Sequence, residues 1–247
     1  MEENKFNLPT EMVDLPSKGL LYPKSSLLSE GKIEVKYMTA REEDILTNQN
    51  YIKQGVVIDK LLQSLIVTKI NYDDLLVGDK NAIMVAARIL AYGASYEFEY
   101  DGNSQIFDLS KIEPNPLHED LLKTTTNEFE YTLPNTGNKI TFKLLVHGDD
   151  KKIDEEIKGL QKISKDNISE VTVRFSHIIT SINGSSDKKD IREFVNTYFL
   201  AKDARAFRKY YNEISPNLNM TATLTNSEGG EEDVDLPIGI NFFWPDA

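Results

Sequence analysis

Three histidines, His118, His147 and His177, are the side chains of this sequence best suited to acid–base or metal chemistry. Their separations exclude the paired helical ligands of an HExxH zinc site. The absence of cysteine excludes thiol nucleophiles, disulfide scaffolds and zinc ribbons. Neither a glycine-rich phosphate loop nor a GxSxG turn occurs. We therefore expect no cofactor, no metal site and no small-molecule substrate.

Carboxylates are a second candidate for chemistry, and they cluster in residues 42–44, 73–74, 149–150 and 228–235. Paired carboxylates can bind Mg²⁺ or act as acid and base. Each cluster lies at a predicted helix start or turn, where the helix dipole or solvent favours acidic residues. The alternative is a hydrolase of unknown substrate that uses a carboxylate pair with His118 or His147. It requires one of these histidines in a concave pocket beside a carboxylate of shifted pKa.

A basic face is predicted on a helix from Asp203 to Ile214. Arg205, Arg208 and Lys209 share this face, and the aromatic residues lie largely on the other. Such a helix could bind an acidic partner or, as a third hypothesis, nucleic acid. The chain carries 28 basic and 40 acidic residues, a net charge of −12. Because an acidic protein repels phosphates and three cations are few, we expect no nucleic-acid partner.

Apolar spacing predicts the helices that would position these groups. The predicted helices cover 39–48, 56–67, 80–92, 149–164, 171–182, 188–201 and 203–214. Thr39 and Glu42 form a capping box at the start of the first helix. Asp79 is the predicted N-cap of the apolar helix 80–92, and Gly93 follows its end. Arg88 lies in the middle of that helix and would need a carboxylate partner, for which Asp79 and Glu97 are the candidates.

Alternating apolar residues predict a strand over 33–38 and three hairpins. The hairpins pair 96–100 with 105–109, 128–133 with 140–145, and 220–224 with 234–243. Together with the helices, they predict an α+β fold in which helices pack with peripheral antiparallel β-hairpins. The order helix, hairpin, Asp-Leu occurs at 80–109 and again at 203–237, which raises the hypothesis of an internal repeat.

The chain divides into three predicted parts. Residues 1–24 form an extended N-terminal arm, because Pro9, Pro16 and Pro23 block a helix. Residues 25–147 form an N-terminal α+β lobe with two hairpins, and residues 148–247 form a C-terminal helical lobe with the terminal hairpin. No apolar run approaches the roughly 20 residues of a membrane helix, and no secretory signal starts the chain. We expect no membrane contact, and a location in the cytoplasm or in a particle assembled there.

The arm and the C-terminal tail are the predicted partner-binding surfaces. Apolar side chains without a regular period mark the arm, and aromatic residues of the kinds that dominate interface hot spots mark the tail. An alternative for the tail is a final strand that closes the chain's own core, with Phe242 and Phe243 on opposite faces. With the two arginines of the basic helix, the predicted partner-binding residues are Leu15, Leu20, Leu21, Tyr22, Arg205, Arg208, Phe242, Phe243 and Trp244.

Separated motifs give the chain a family resemblance. They are Leu15-Pro16-Ser17-Lys18-Gly19 with Tyr22-Pro23, Met38 to Leu46, Gly78 to Ile83 with Ala86 to Ile89 and Tyr92-Gly93, Asp203 to Arg208, Leu236-Pro237-Ile238, and Phe242 to Pro245. Together they resemble the baseplate hub subunit and hub assembly chaperone family of T4-type contractile-tailed phages. Relatives often carry cysteine pairs in two hairpins, whereas this chain has Asp101-Gly102-Asn103 and Ser227-Glu228-Gly229-Gly230 there. Zinc is therefore not expected, and side-chain packing must hold these hairpins.

The resemblance implies a non-enzymatic protein of baseplate hub assembly, either a hub assembly chaperone or a hub subunit. It implies other baseplate hub proteins as partners, with the tape-measure protein as a further candidate. It also implies a location in the host cytoplasm during assembly, with the virion tail baseplate as the alternative. No catalytic residue is implied.

Overall fold

A computed structural model of the chain describes residues 8–122, 127–163, 170–225 and 230–243. The helices are α1 (Ala40–Leu46), α2 (Gln49–Gln54), α3 (Val57–Leu65), α4 (Val77–Tyr92), α5 (Glu119–Leu122), α6 (His147–Ile163), α7 (Glu170–Ile178), α8 (Lys188–Glu193) and α9 (Ala201–Ile214). The strands are β1 (Thr10–Asp14), β2 (Lys32–Lys36), β3 (Ser95–Tyr100), β4 (Asn103–Asp108), β5 (Phe129–Thr132), β6 (Lys139–Phe142), β7 (Ile179–Ile182), β8 (Thr221–Thr225) and β9 (Glu231–Asp235).

The strands form small antiparallel sheets with the orders β1-β2, β3-β4, β5-β6-β7 and β8-β9. Helices pack around these sheets, so the predicted α+β fold is confirmed. Asp101 and Gly102 both have positive φ, 50° and 72°, and they join β3 to β4 in the predicted two-residue turn. Within the described ranges, none of the helices combines the length and apolar character needed to cross a bilayer.

The capping box of α1 is confirmed, and it also connects α1 to two neighbours. Thr39 donates to Glu42 Oε2 from its backbone nitrogen at 3.0 Å and from its hydroxyl at 2.6 Å. Lys36 Nζ at 2.8 Å and Ser64 Oγ at 2.6 Å donate to Oε1. Burial raises the pKa of Glu42, but these hydrogen bonds outweigh burial and lower the pKa to about 2. Glu42 therefore stays ionised while it joins α1, β2 and α3.

The prediction of one helix over 171–182 is wrong for residues 179–182. Helix α7 ends at Ile178, and the next residues form β7, which pairs with β6 through Ile182 and Ile140. Ile179 and Ile182 are β-branched and buried, so they suit a strand in the core. Periodicity alone cannot distinguish a short buried strand from the continuation of a helix.

The predicted helix 188–201 is also interrupted, and α9 starts earlier than predicted. A π-helical segment, Phe194–Tyr198, follows α8, and α9 begins at Ala201. Asp203 is buried and accepts hydrogen bonds of 2.8–3.1 Å from the backbone and side chains of Asn135 and Thr136. Burial raises the pKa of Asp203, but these bonds outweigh it and lower the pKa. These hydrogen bonds join the β5–β6 turn to α9.

Asp79 is not the N-cap of its helix, so that prediction is wrong. Helix α4 begins at Val77, which places Asp79 in its first turn, fully buried. The carboxylate accepts from Ser17 N at 3.0 Å, Ser17 Oγ at 2.7 Å and Tyr22 Oη at 2.7 Å. Tyr22 Oη in turn accepts from Leu76 N at 2.8 Å. Burial raises the pKa of Asp79, and the carboxyl attaches the N-terminal segment to α4.

The predicted ion pair of Arg88 is also wrong. Its guanidinium donates to three backbone carbonyls, those of Phe242 at 2.8 Å, Gly93 at 2.8 Å and Ser95 at 3.1 Å. It also lies 5.3 Å from the centre of the Tyr92 ring. A guanidinium presents five donors, and the carbonyls near a helix C-terminus carry partial negative charge, so a carboxylate is not required. Arg88 thus attaches the C-terminal segment to the end of α4.

The two helix–hairpin units, α4-β3-β4 and α9-β8-β9, end in the same way. Leu109 N donates to Ala94 O at 2.8 Å, and Leu236 N donates to Met220 O at 2.8 Å. Both leucines directly follow the last aspartate of their hairpin and are buried. The internal repeat stays a hypothesis, as does the division of the chain into an arm and two lobes.

Candidate interaction site

A groove of about 640 Å³ lies between α7 and α9. Residues of α7 and α9 form facing walls, and the start of α4, the segment after β6 and residues 215–221 complete it. The side chains that line the groove include Val171, Arg174, Phe175, Arg208, Tyr211 and Asp235.

Close backbone packing holds one wall of the groove in place. A Cβ atom on Gly78 would lie 1.8 Å from Pro216 O, so only glycine lets this loop lie against α4. Backbone hydrogen bonds of 2.8 Å then join Asn115 N to Asn217 O and Asn219 N to Glu113 O. The loop is fixed at both of these points, so contacts within the chain itself hold this wall of the groove.

Tyr211 connects α9 to the segment that follows β6. Its hydroxyl accepts from Leu145 N at 3.0 Å. Burial raises the pKa of Tyr211 to about 12, so the phenol is neutral at physiological pH. The ring therefore contributes an apolar surface and one fixed polar atom to the groove.

The groove presents apolar surface together with an arginine that pairs with none of the described carboxylates. Val171 on α7 is 50% exposed, which is unusual for a valine in a concave wall. Arg174 pairs with Asp150 at 3.1 Å, whereas Arg208 has no carboxylate within 4.0 Å in the part of the chain that the structure describes. Asp235 adds one acidic group. This surface suits a segment that combines apolar side chains with a carboxylate.

The structure places the predicted partner-binding residues in different environments. Arg208 lines the groove, and Arg205 lies one turn earlier on the exposed face of α9. In the arm, Leu20 is 38% exposed, whereas Leu15, Leu21 and Tyr22 are buried in the core. Partner contact by the arm stays a prediction.

The predicted final strand is wrong beyond Asp235, where β9 ends. Phe242 and Phe243 lie in a 3₁₀ turn, and both are fully buried instead of pointing to opposite faces. Their rings meet edge to face at 5.4 Å, and Phe242 contacts Tyr96 at 5.0 Å. Trp244 lies outside the described residues. The two phenylalanines fill the chain's own core, and partner contact by the tail stays a prediction.

The histidines do not form the arrangement that the hydrolase hypothesis requires. His118 is exposed, with Glu213 4.0 Å away. His147 is buried, 3.6 Å from Asp59 and 3.3 Å from Lys80 Nζ, and burial followed by the Lys80 charge lowers its pKa. Neither histidine lines the groove. Among the described residues, no group of three or more histidine and carboxylate side chains is arranged to hold a metal ion.

Sequence reasoning missed the groove itself. Its walls come from segments separated by many residues, and no local pattern marks Gly78, Val171 or Tyr211 as neighbours. The only available signal was the basic face of α9, which led to Arg208.

Comparison with known proteins identifies the family. The family model described as T4 bacteriophage base plate protein matches residues 11–244, from β1 to just beyond Phe243. No curated protein and no solved structure matches the chain. The match includes every wall of the groove, and it confirms the resemblance to T4-type phage baseplate proteins that the separated motifs indicated. The chain therefore belongs to the T4 bacteriophage base plate protein family and functions among the components of a phage baseplate.

Proposed function

We propose that this chain is a non-enzymatic protein of baseplate hub assembly, acting as a hub assembly chaperone or as a hub subunit. The observation that carries the proposal is the family match over residues 11–244. Other hub proteins are the proposed partners, and the tape-measure protein is a second candidate. The proposed location is the host cytoplasm during assembly and, for a hub subunit, the tail baseplate.

The groove between α7 and α9 is the proposed binding surface for a hub partner. The exposed Val171 side chain offers apolar contact, and Arg208 offers a charge-assisted hydrogen bond. The partner segment would therefore place an apolar side chain in the groove and a carboxylate against Arg208.

Reversing the charge of Arg208 is expected to weaken this interaction. The Arg208→Glu variant should recover at least about tenfold less of the other baseplate proteins, because a carboxylate partner would then face a like charge. Affinity purification from phage-infected cells, with quantitative mass spectrometry of the baseplate proteins, measures the effect. Lys202→Glu is the matched control, since it makes the same charge change on exposed α9 surface outside the groove. Equal recovery by the two variants, with wild-type urea midpoints, would contradict the assignment of the groove.

The copy number of the chain in purified mature particles decides between the two hub roles. Quantitative mass spectrometry that gives a fixed small number of copies identifies a hub subunit with permanent contacts. Absence from the particle, with abundance in infected cells and in baseplate intermediates, identifies a chaperone with reversible contacts. Absence from both the particle and the intermediates would overturn the proposed function.

A further inference from the structure

A second cleft lies against the opposite face of α7, and its charge differs from that of the whole chain. It has a volume of about 330 Å³ and lies between α6, the end of α7, β7 and α8. Four cations line it, Lys143, Lys152, Lys188 and Arg192, against one carboxylate, Asp149. The chain as a whole carries a net charge of −12, so this concentration of positive charge is local.

Two carboxylates, one in the cleft and one beside it, already pair with basic side chains. Lys143 pairs with Asp149 at 2.7 Å, and Glu156 pairs with Arg192 at 3.1 Å and with His177 at 2.8 Å. These pairs show that the cations here bind carboxylates at short range.

Two lysines of the cleft take no part in these ion pairs. Lys152 and Lys188 have no carboxylate within 4.0 Å in the described ranges. Like charges held in one concave surface raise its potential and attract an anion from solution.

A hydroxyl group is also available for an anion. Ser186 lines the cleft, and its side chain makes no hydrogen bond to the described residues. Ser176 differs, because its hydroxyl donates to Thr172 O at 2.9 Å. A carboxylate accepts from ammonium and hydroxyl groups together, so Lys152, Lys188 and Ser186 form a set of donors for one or two carboxylates.

We propose that this cleft binds the carboxylates of an acidic segment of a partner protein. Its volume admits one or two side chains rather than a folded domain, and four cations are too few to hold a nucleic acid. The short pairs with Asp149 and Glu156 favour carboxylate as the bound group. The proposal goes beyond the hub role and is independent of it, because it concerns a different cleft.

A labelled hexaglutamate peptide tests the cleft by fluorescence anisotropy at fixed ionic strength. The Lys152→Gln/Lys188→Gln double variant should bind at least about tenfold more weakly than the wild type, because both free ammonium groups are removed. Lys151→Gln/Lys189→Gln is the matched control, since these exposed lysines lie one residue away on the same helices and outside the cleft. The control should stay within about twofold of the wild type if the cleft, rather than net charge, binds the peptide.

Several results would overturn the proposal. Equal loss in the two double variants would mean general charge attraction, and no binding by the wild type would mean no site. Inorganic phosphate that displaces the peptide at an equal or lower concentration would identify a free phosphate site instead. Arg208→Glu should still bind the peptide, so failure of the hub proposal and failure of this one can be distinguished. Urea midpoints confirm that each variant is folded.

Discussion

Replacing Asp79 with alanine is expected to lower the free energy of unfolding by about 3 kcal/mol or more, because three buried donors lose their acceptor together. Its carboxylate is the acceptor for Ser17 N, Ser17 Oγ and Tyr22 Oη. Each buried donor left without an acceptor costs about 1–3 kcal/mol. Because these donors lie in the N-terminal segment, we expect the variant to release that segment from α4. Urea denaturation measures the stability, and hydrogen exchange of residues 15–22 measures the release.

The stability of the Asp79→Asn variant should be compared with that of the alanine variant. An asparagine keeps one carbonyl acceptor, and the two hydroxyls can turn to accept from its amide. Burial raises the pKa of Asp79, which means that the fold bears a cost for the ionised group that a neutral amide avoids. We therefore expect asparagine to cost less than alanine, about 1 kcal/mol. An alanine variant as stable as the wild type would contradict the role of Asp79.

The second large effect is expected for Arg88→Met. The methionine retains apolar volume but leaves the carbonyls of Phe242, Gly93 and Ser95 without their donors. We expect a loss of about 2 kcal/mol or more, because the buried carbonyl of Phe242 and the two partly buried carbonyls of Gly93 and Ser95 lose their donor together. The segment around Phe242 should exchange its amide hydrogens faster, since Arg88 Nε is the donor to its carbonyl.

Two controls separate this effect from the loss of a charge. Arg41→Met removes the same group from an exposed site and should change stability by less than about 0.5 kcal/mol. Arg88→Lys keeps the charge, but a single ammonium cannot reproduce the planar set of guanidinium donors, so we expect it to be destabilised as well. Full stability of Arg88→Lys would mean that charge, rather than the three carbonyl bonds, matters at this position.

Local signals in the sequence predicted local structure well. The Thr39–Glu42 capping box and the Asp101-Gly102 turn depend on residues that are adjacent or three apart, and both are confirmed. The α+β class followed from such elements. Arg208 could also be predicted from the sequence, because helical spacing within one segment defines the basic face of α9.

Contacts between distant residues could not be predicted in this way. Asp79 was assigned to its own helix, whereas its partner Ser17 lies 62 residues away. Arg88 was assigned a nearby carboxylate, whereas one of its acceptors lies 154 residues along the chain. Strand β7 was assigned to a helix because its pairing with β6 is a tertiary contact. The groove is built from segments that are far apart along the chain, and no single segment contains a sign of it.

The link between Arg88 and Phe242 has a consequence for biosynthesis. A ribosome that adds about 5–20 residues per second needs roughly 8–30 s to translate the stretch between them. During that interval the Arg88 guanidinium of α4 lacks one of its acceptors, and Tyr96 lacks its contact with the Phe242 ring. Contacts so distant in sequence also form slowly, because loop closure must precede them. The chain therefore completes its core only after Phe242 has emerged from the ribosome, and until then the apolar residues around α4 are open to premature contacts with other nascent phage proteins.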